Sequence, residues 1–177
     1  MKFPLPVFAA LLTLGACAAP PPPPPHRPAP APKPVLVAPP VEQQRPAGEW
    51  VDWPIASGDW VYRRDDRGSI ALFGPSGQNA VVTLRCDMQR QRIYLAREGS
   101  GQGGRMVVRT SSAVKEFVAS PAGGTVPYLA TEIMPTDPIL DAAALSRGRI
   151  AIETDGQQPL AIPSWAEITR ITEDCRD

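Results

Sequence analysis

The stretch that decides the fold is Ala80-Val81-Val82-Thr83-Leu84-Arg85-Cys86. Ala80, Val82, Leu84 and Cys86 alternate with Val81, Thr83 and Arg85, which is a period of two. Successive side chains of a strand point to opposite faces. The first set therefore makes an apolar inward face that carries Cys86, and the second set faces outward.

Working outward, the same chemistry recurs in short runs. Residues 60–63 and 69–73 read as strands, separated by the turn Asp65-Asp66-Arg67-Gly68, and Gly74-Pro75-Ser76-Gly77 closes the second. On the other side, residues 92–97 place Ile93 and Leu95 inward, and residues 105–110 place Met106 and Val108 inward. The glycine-rich segment 99–104 is the hairpin loop between them. Residues 114–119 and 128–133 are two more strand candidates, parted by the Pro/Gly-rich loop 120–127. Strands this short and this closely spaced describe an antiparallel β-sandwich or a partly closed barrel.

The pattern changes after Pro135. Asp137 suits an N-cap and Pro138 the first helical position, so residues 138–147 read as a helix with Gly148 past its end. Residues 149–153 return to strand, Thr154-Asp155-Gly156 turns, and residues 160–162 form a last short strand. Ser164-Trp165-Ala166-Glu167 matches a capping box. Trp165, Ile168, Thr172 and Cys175 then share one face at helical spacing, which predicts a helix over 165–174. Strand is the alternative there, because Ile168 and Thr169 are β-branched. The expected fold is a single mostly β (α+β) domain, residues 49–177, with two short helices.

The N-terminal part differs in kind. Of 23 prolines, 13 lie in residues 20–46, including the unbroken run Pro20 to Pro25. Such a tract lacks backbone donors and large apolar side chains, so the expectation is a polyproline II spacer rather than a packed element. At ~3.1 Å per residue the segment 18–48 reaches at most about 95 Å. Ahead of it, Met1-Lys2 opens an apolar stretch that ends in Leu14-Gly15-Ala16-Cys17. A charged start, an apolar core and small residues before a cut make an export signal. Ending in Cys, this one resembles the bacterial lipoprotein signal L-[AGS]-[AGS]-C. The resemblance implies cleavage after residue 16, lipidation of Cys17, and residues 17–48 as a tether. Ala18, rather than Asp, after that Cys implies an outer-membrane destination, with the domain facing the periplasm. No later apolar run approaches 18 residues, so the membrane is met only through the N-terminal lipid.

With Cys17 lipidated, Cys86 and Cys175 remain. An exported chain meets an oxidising compartment, where an even pair reads as a disulfide. Two buried free thiols are the alternative. The only histidine, His26, lies in the proline tract, so no metal or cofactor site is expected in the domain. Residues 49–177 carry 14 basic against 17 acidic side chains, a formal −3, which argues against nucleic acid as partner.

No catalytic motif survives inspection. The loop Gly99-Ser100-Gly101-Gln102-Gly103-Gly104 lacks the Gly-Lys-[Ser/Thr] ending of a phosphate loop and sits between strands. Asp137 and Asp141, four residues apart, read as a cap and a solvated acid. Arg63-Arg64-Asp65-Asp66-Arg67 reads as a solvated turn, and Trp60 and Trp165 as core. Trp50 and Trp53, near the tether, are the candidate contact surface, since exposed indoles stack on sugar faces or on peptides.

A second resemblance concerns the domain itself. A Leu-x-Cys strand (Leu84 to Cys86), the Arg105 to Arg109 strand, a short helix, a strand and a terminal helix ending in Cys175 follow in that order. The arrangement is similar to the small sandwich domains of the VasI-like type VI secretion accessory proteins and of the invasion-associated locus B family. It implies an exported domain without catalysis. The expectation is a non-enzymatic envelope lipoprotein that binds a protein partner. A glycan- or peptidoglycan-binding module is the second reading, and a hydrolase with an unrecognised carboxylate site the third.

Overall fold

The computed structural model describes residues 46–177. The expected signal (1–16), the lipidation residue Cys17 and nearly all of the tether lie outside the described residues.

The elements run β1 (Asp59–Asp65), β2 (Gly68–Gly74), β3 (Val82–Asp87), β4 (Arg92–Glu98), β5 (Gly104–Arg109), β6 (Val114–Pro121), β7 (Tyr128–Ile133), α1 (Pro138–Ala144), β8 (Arg149–Thr154), β9 (Leu160–Pro163) and α2 (Ala166–Asp174). The strands form one sheet in the order β1-β2-β3-β4-β7-β6-β5-β8-β9, with neighbouring strands antiparallel. The fold class read from the alternation is the one observed.

The sheet curls until its edges approach. Ile55, just upstream of β1, makes a parallel bridge to Ala161 of β9, and the Ala56 amide donates to the Ala161 carbonyl at 2.8 Å. The Trp60 indole N–H crosses the same seam to the Pro163 carbonyl at 3.0 Å. On the opposite side the sheet bends sharply. β6 pairs with β5 from Val114 to Ala119, but with β7 only at Ser120–Ala130 and Pro121–Leu129.

The core fills the concave side. Val82, Leu84 and Cys86 of β3, Ile93 and Leu95 of β4, Ala71 and Phe73 of β2, and Met106 and Val108 of β5 are buried there. The helices close over them with Ile139, Leu140 and Ala143 of α1 and with Ile168, Ile171 and Cys175 at α2. Burying a large aliphatic side chain contributes roughly 1.5–3 kcal/mol, so this inner layer is the main source of stability.

Two cross-links tie the layers. Cys86 and Cys175 form a disulfide, with Cα atoms 5.4 Å apart and 89 residues of separation. It joins the inner face of β3 to the C-cap of α2. The second link is Arg97, which points inward from β4 and is 6% exposed. Its guanidinium donates to the Ile152 carbonyl of β8 at 3.2 Å and to the Gln158 carbonyl in the β8–β9 loop. Burial pushes its pKa down to about 10, so it remains a cation held by peptide dipoles. β4 and β8 stand four places apart in the strand order, so Arg97 braces the curl across its interior.

Local differences from the sequence reading have physical causes. The capping box does not form. The Ser164 hydroxyl donates instead to the Ala143 carbonyl at 2.5 Å, satisfying the last turn of α1. α2 therefore begins at Ala166 without a side-chain cap, and Trp165, expected in the core, is 43% exposed. α1 ends at Ala144 rather than at residue 147. Just beyond it, the Ser146 hydroxyl turns to the Arg149 carbonyl at 2.6 Å and so directs the chain into β8. In the β1–β2 turn, Gly68 has φ +137°, and a Cβ there would lie 2.6 Å from the Cys86 carbonyl oxygen. Only glycine admits that approach.

Unreduced, denatured protein is expected to show no thiol at Cys86 or Cys175. Cys175→Ser should lower unfolding free energy by roughly 3–5 kcal/mol, measured by denaturant titration. Detection of both thiols in the unreduced chain would defeat the assignment.

Candidate functional site

On the inner side of the sheet the described residues pack closely. A cavity of about 30 Å³ lies between sheet and helices, lined by Trp60, Leu84, Leu95, Ile139, Ile168 and other apolar groups. It has no polar partner for a bound molecule and is a packing defect.

The outer face of the β1–β2–β3–β4–β7 half is open. Register places two rows of outward side chains across it. Arg63, Ile70, Arg85, Tyr94 and Glu132 are successive cross-strand neighbours. Beside them run Val61, Leu72, Thr83, Ala96 and Ala130. Where β6 bends away from β7, its outward Val118, 81% exposed, and residues Ser120, Pro121 and Ala122 rise beside this face. A groove of about 520 Å³ results, within the range of small-ligand and peptide sites. Its floor is the small residues Thr83, Ala96 and Ala130, and Arg67, Arg85, Arg90, Tyr94 and Glu132 line one end.

Two hairpin tips build that end. Asp87, 4% exposed, accepts from the Arg67 guanidinium at 2.7 Å and from the Arg90 amide at 3.2 Å, so one carboxylate locks both tips together. The hydrogen bond from Arg67 holds the Asp87 carboxyl below the usual range. Arg85 grips Asp65 with two bonds of 2.9 and 2.7 Å, which lowers the Asp65 pKa from 3.8 to about 2. Arg92 pairs with Glu132 at 2.7 Å. Beside these three pairs, the Arg90 guanidinium lies 3.5 Å from the Tyr94 hydroxyl and in the field of Asp87 and Glu132. Arg63 is exposed and has no partner among the described residues. The Arg63 to Arg67 segment, read as a solvated turn, is exposed throughout, and Asp65 and Arg67 in it also pair with Arg85 and Asp87 of β3. The available signal was the outward half of the decisive strand, Thr83 and Arg85.

The tryptophan pair predicted as a contact surface is placed differently. A 3-10 turn, Trp50–Asp52, leads into the domain. Trp53 is 3% exposed and packs with Ala151 and Ala161 on the outer side of β8 and β9. The Arg149 guanidinium donates to the Trp53 carbonyl at 2.6 Å and straps the lead-in down. Trp50 is half-buried against the same cluster. Two alanines leave a flat recess that the indole fills, so Trp53 is corrected from contact surface to packing residue. The paired carboxylates also have structural employment. Asp137 accepts from the Ile139 amide at 3.1 Å and pairs with Lys115, whereas Asp141 pairs with Arg176 at 2.8 Å. No group of His, Cys, Asp or Glu among the described residues is arranged to hold a metal. No helix among them is long and apolar enough to cross a membrane.

No protein-family model matches the chain, and no curated protein and no solved structure matches it significantly.

A polar cluster beside the disulfide contributes to the acid response. Asp174 accepts from the Tyr62 hydroxyl at 2.7 Å and from Arg64 at 2.9 Å, while Arg170 stacks 3.6 Å from the centre of the Tyr62 ring. Burial opposes ionisation of Asp174, but the bonds from Tyr62, Ser69 and Arg64 outweigh it and its pKa is lowered. The pKa values of Asp65, Asp87 and Asp141 are lowered as well. A carboxylate with a depressed folded pKa stabilises the fold above its unfolded value and loses that contribution as pH falls through the folded value. Stability should therefore be level near neutrality and decline between about pH 4 and about pH 2. Denaturant midpoints measured across that range check this, and Asp174→Asn should make the decline shallower. An identical slope in that variant would remove Asp174 from the account.

Proposed function

We propose that the protein is a non-catalytic lipoprotein of the bacterial envelope. Cys17 carries the lipid, the proline-rich segment is the spacer, and the domain docks a protein partner through the outer face of β3, β4 and β7. The observation that carries the docking part is the open groove beside the β6 bend. It is the place where register, two locked hairpin tips and a floor of small side chains combine into a shaped surface. Arginine and tyrosine, residues enriched at interfaces, line one end of that groove. The Cys86–Cys175 disulfide fits an exported chain, since such bonds persist in oxidising compartments.

The lead-in supports the same arrangement. The chain enters along the outer side of β8 and β9, on the half of the sheet away from β3 and β4. The described lead-in does not cover the groove. Asp137 caps α1 and pairs with Lys115, Asp141 pairs with Arg176, and Trp53 is committed to packing. The groove is therefore a stronger candidate than either alternative site.

Two measurements on the full chain test the proposal. Cells given a palmitate analogue should label the wild type and not Cys17→Ser, and equal labelling would refute the anchor. Cross-linking in envelope extract should join the chain to a protein in a Thr83→Trp-sensitive way, because an indole on the floor fills the groove. Co-sedimentation with purified peptidoglycan that is lost in Trp50→Ala would refute protein docking and favour glycan binding.

A further inference from the structure

The bend of β6 leaves part of the sheet unzipped. The Thr110 amide donates to the Ala113 carbonyl, and along the β5–β6 register the hydrogen-bonded positions then alternate. Ala113, Lys115, Phe117 and Ala119 therefore turn their main chain to β5. Val114, Glu116 and Val118 turn theirs the other way, toward β7. The β6–β7 ladder, however, ends at Ser120–Ala130. Carried on, it would join Val118 to Glu132. Instead β7 runs into the turn before α1, where the Asp137 amide donates to the Met134 carbonyl. The N–H and C=O groups of Val114, Glu116 and Val118 thus have no hydrogen-bond partner among the described residues.

This edge is open and unguarded. Val114 is 57% and Val118 81% exposed, and Glu116 between them is exposed as well. Free edges are ordinarily blunted by lysine, proline or a bulge. Here Lys115 turns to Asp137, Phe117 packs against the core, and the first proline of β6 is Pro121, beyond the split. Glu116 is the one outward charge, 3.8 Å from Arg105. Three donor–acceptor pairs repeat along the edge every two residues, about 7 Å apart. Extended backbone is the chemistry that matches such a row. The groove described above runs into this split, since Val118, Ser120, Ala130 and Glu132 all line it.

We propose that an extended segment of the partner protein adds to β6 as an antiparallel strand in the split between β6 and β7. This inference rests on the docking reading above and specifies its mode. Main-chain hydrogen bonds to Val114, Glu116 and Val118 supply affinity, and side chains at alternate positions supply specificity. On the outward face an apolar residue stands opposite each valine and a cation opposite Glu116, because directly opposed side chains on one face interact. The antiparallel sense continues that of the β5–β6 and β6–β7 pairs.

The probe is the capped, fluorophore-labelled peptide Thr-Val-Ile-Lys-Thr-Val-Thr, titrated with the full chain by fluorescence anisotropy. Antiparallel to β6, its Val, Lys and Val stand opposite Val118, Glu116 and Val114. Methylating those three peptide nitrogens should weaken binding about a hundredfold, and methylating the Ile and central Thr nitrogens, which point away from β6, less than about fivefold. Val118→Pro removes one edge N–H without touching the β5 ladder, so it should weaken binding about tenfold at an unchanged thermal midpoint. If that midpoint falls, the methylated peptides decide alone. Amide exchange on the full chain should be fast at Val114, Glu116 and Val118 and slow once peptide is bound. No binding up to about 1 mM overturns the inference, as does equal loss with both methylation patterns or slow exchange of these amides without peptide. A concentration-dependent dimer abolished by Val118→Pro assigns the edge to a second copy of the chain and overturns it too. If cross-linking to a protein remains Thr83→Trp-sensitive but ignores Val118→Pro, docking stands and strand addition falls.

Discussion

Everything in this domain depends on closing a single curled sheet over a core that it cannot cover alone. Nine strands bend until Ile55 reaches β9, and the concave side would be open to water without the two helices. α2 is the weaker lid, nine residues long and lacking a side-chain cap. An isolated helix of that length is marginal in water. The Cys86–Cys175 bond offsets this by attaching the helix end to the central strand, and the Tyr62–Asp174–Arg64 cluster fixes the same end to β1. Both links concentrate on the last turn of α2, where the chain would otherwise fray.

Filling the inside has a consequence for the outside. Once apolar side chains, the disulfide and Arg97 occupy the interior, the groups open to solvent lie on the convex surface. The lead-in covers part of that surface, over Ala151 and Ala161, and the β6 bend shapes another part into a groove. Covered and open outer surface are thus divided between the two halves of the sheet. Trp53, Ala151 and Ala161 serve packing, while Thr83, Ala96 and Ala130 serve as an open floor. The same design, small side chains on an outward strand face, has opposite outcomes according to whether an indole lies on it.

The fold was largely legible from alternation. Val82, Leu84 and Cys86 on one side of a strand and Thr83 and Arg85 on the other are direct readouts of a half-buried strand, and glycine and proline marked most of its turns. The candidate site was legible only in part. Arg85 could be placed facing outward, but its pairing with Asp65, and that of Arg67 with Asp87, requires two hairpins to stand side by side. Exposed indoles near the proline-rich segment were a reasonable expectation, and Trp53 departed from it because Ala151 and Ala161, about a hundred residues later, create the recess it fills. The capping box at Ser164 failed for the same kind of reason, since its hydroxyl found a nearer acceptor at the end of α1.

By itself, then, the sequence determined the strand count to within short boundary shifts, the inward direction of Cys86, the N-cap at Asp137 and the change of character before residue 49. These are local quantities, set by side-chain period, backbone freedom and proline content within a few residues. The strand order, the insertion of β7 between β4 and β6, the brace of Arg97 across the curl and the groove at the β6 bend were decided by tertiary structure. Each depends on which distant segments share hydrogen-bonding edges and buried area. Those are energies of pairs far apart along the chain, and no local pattern encodes them.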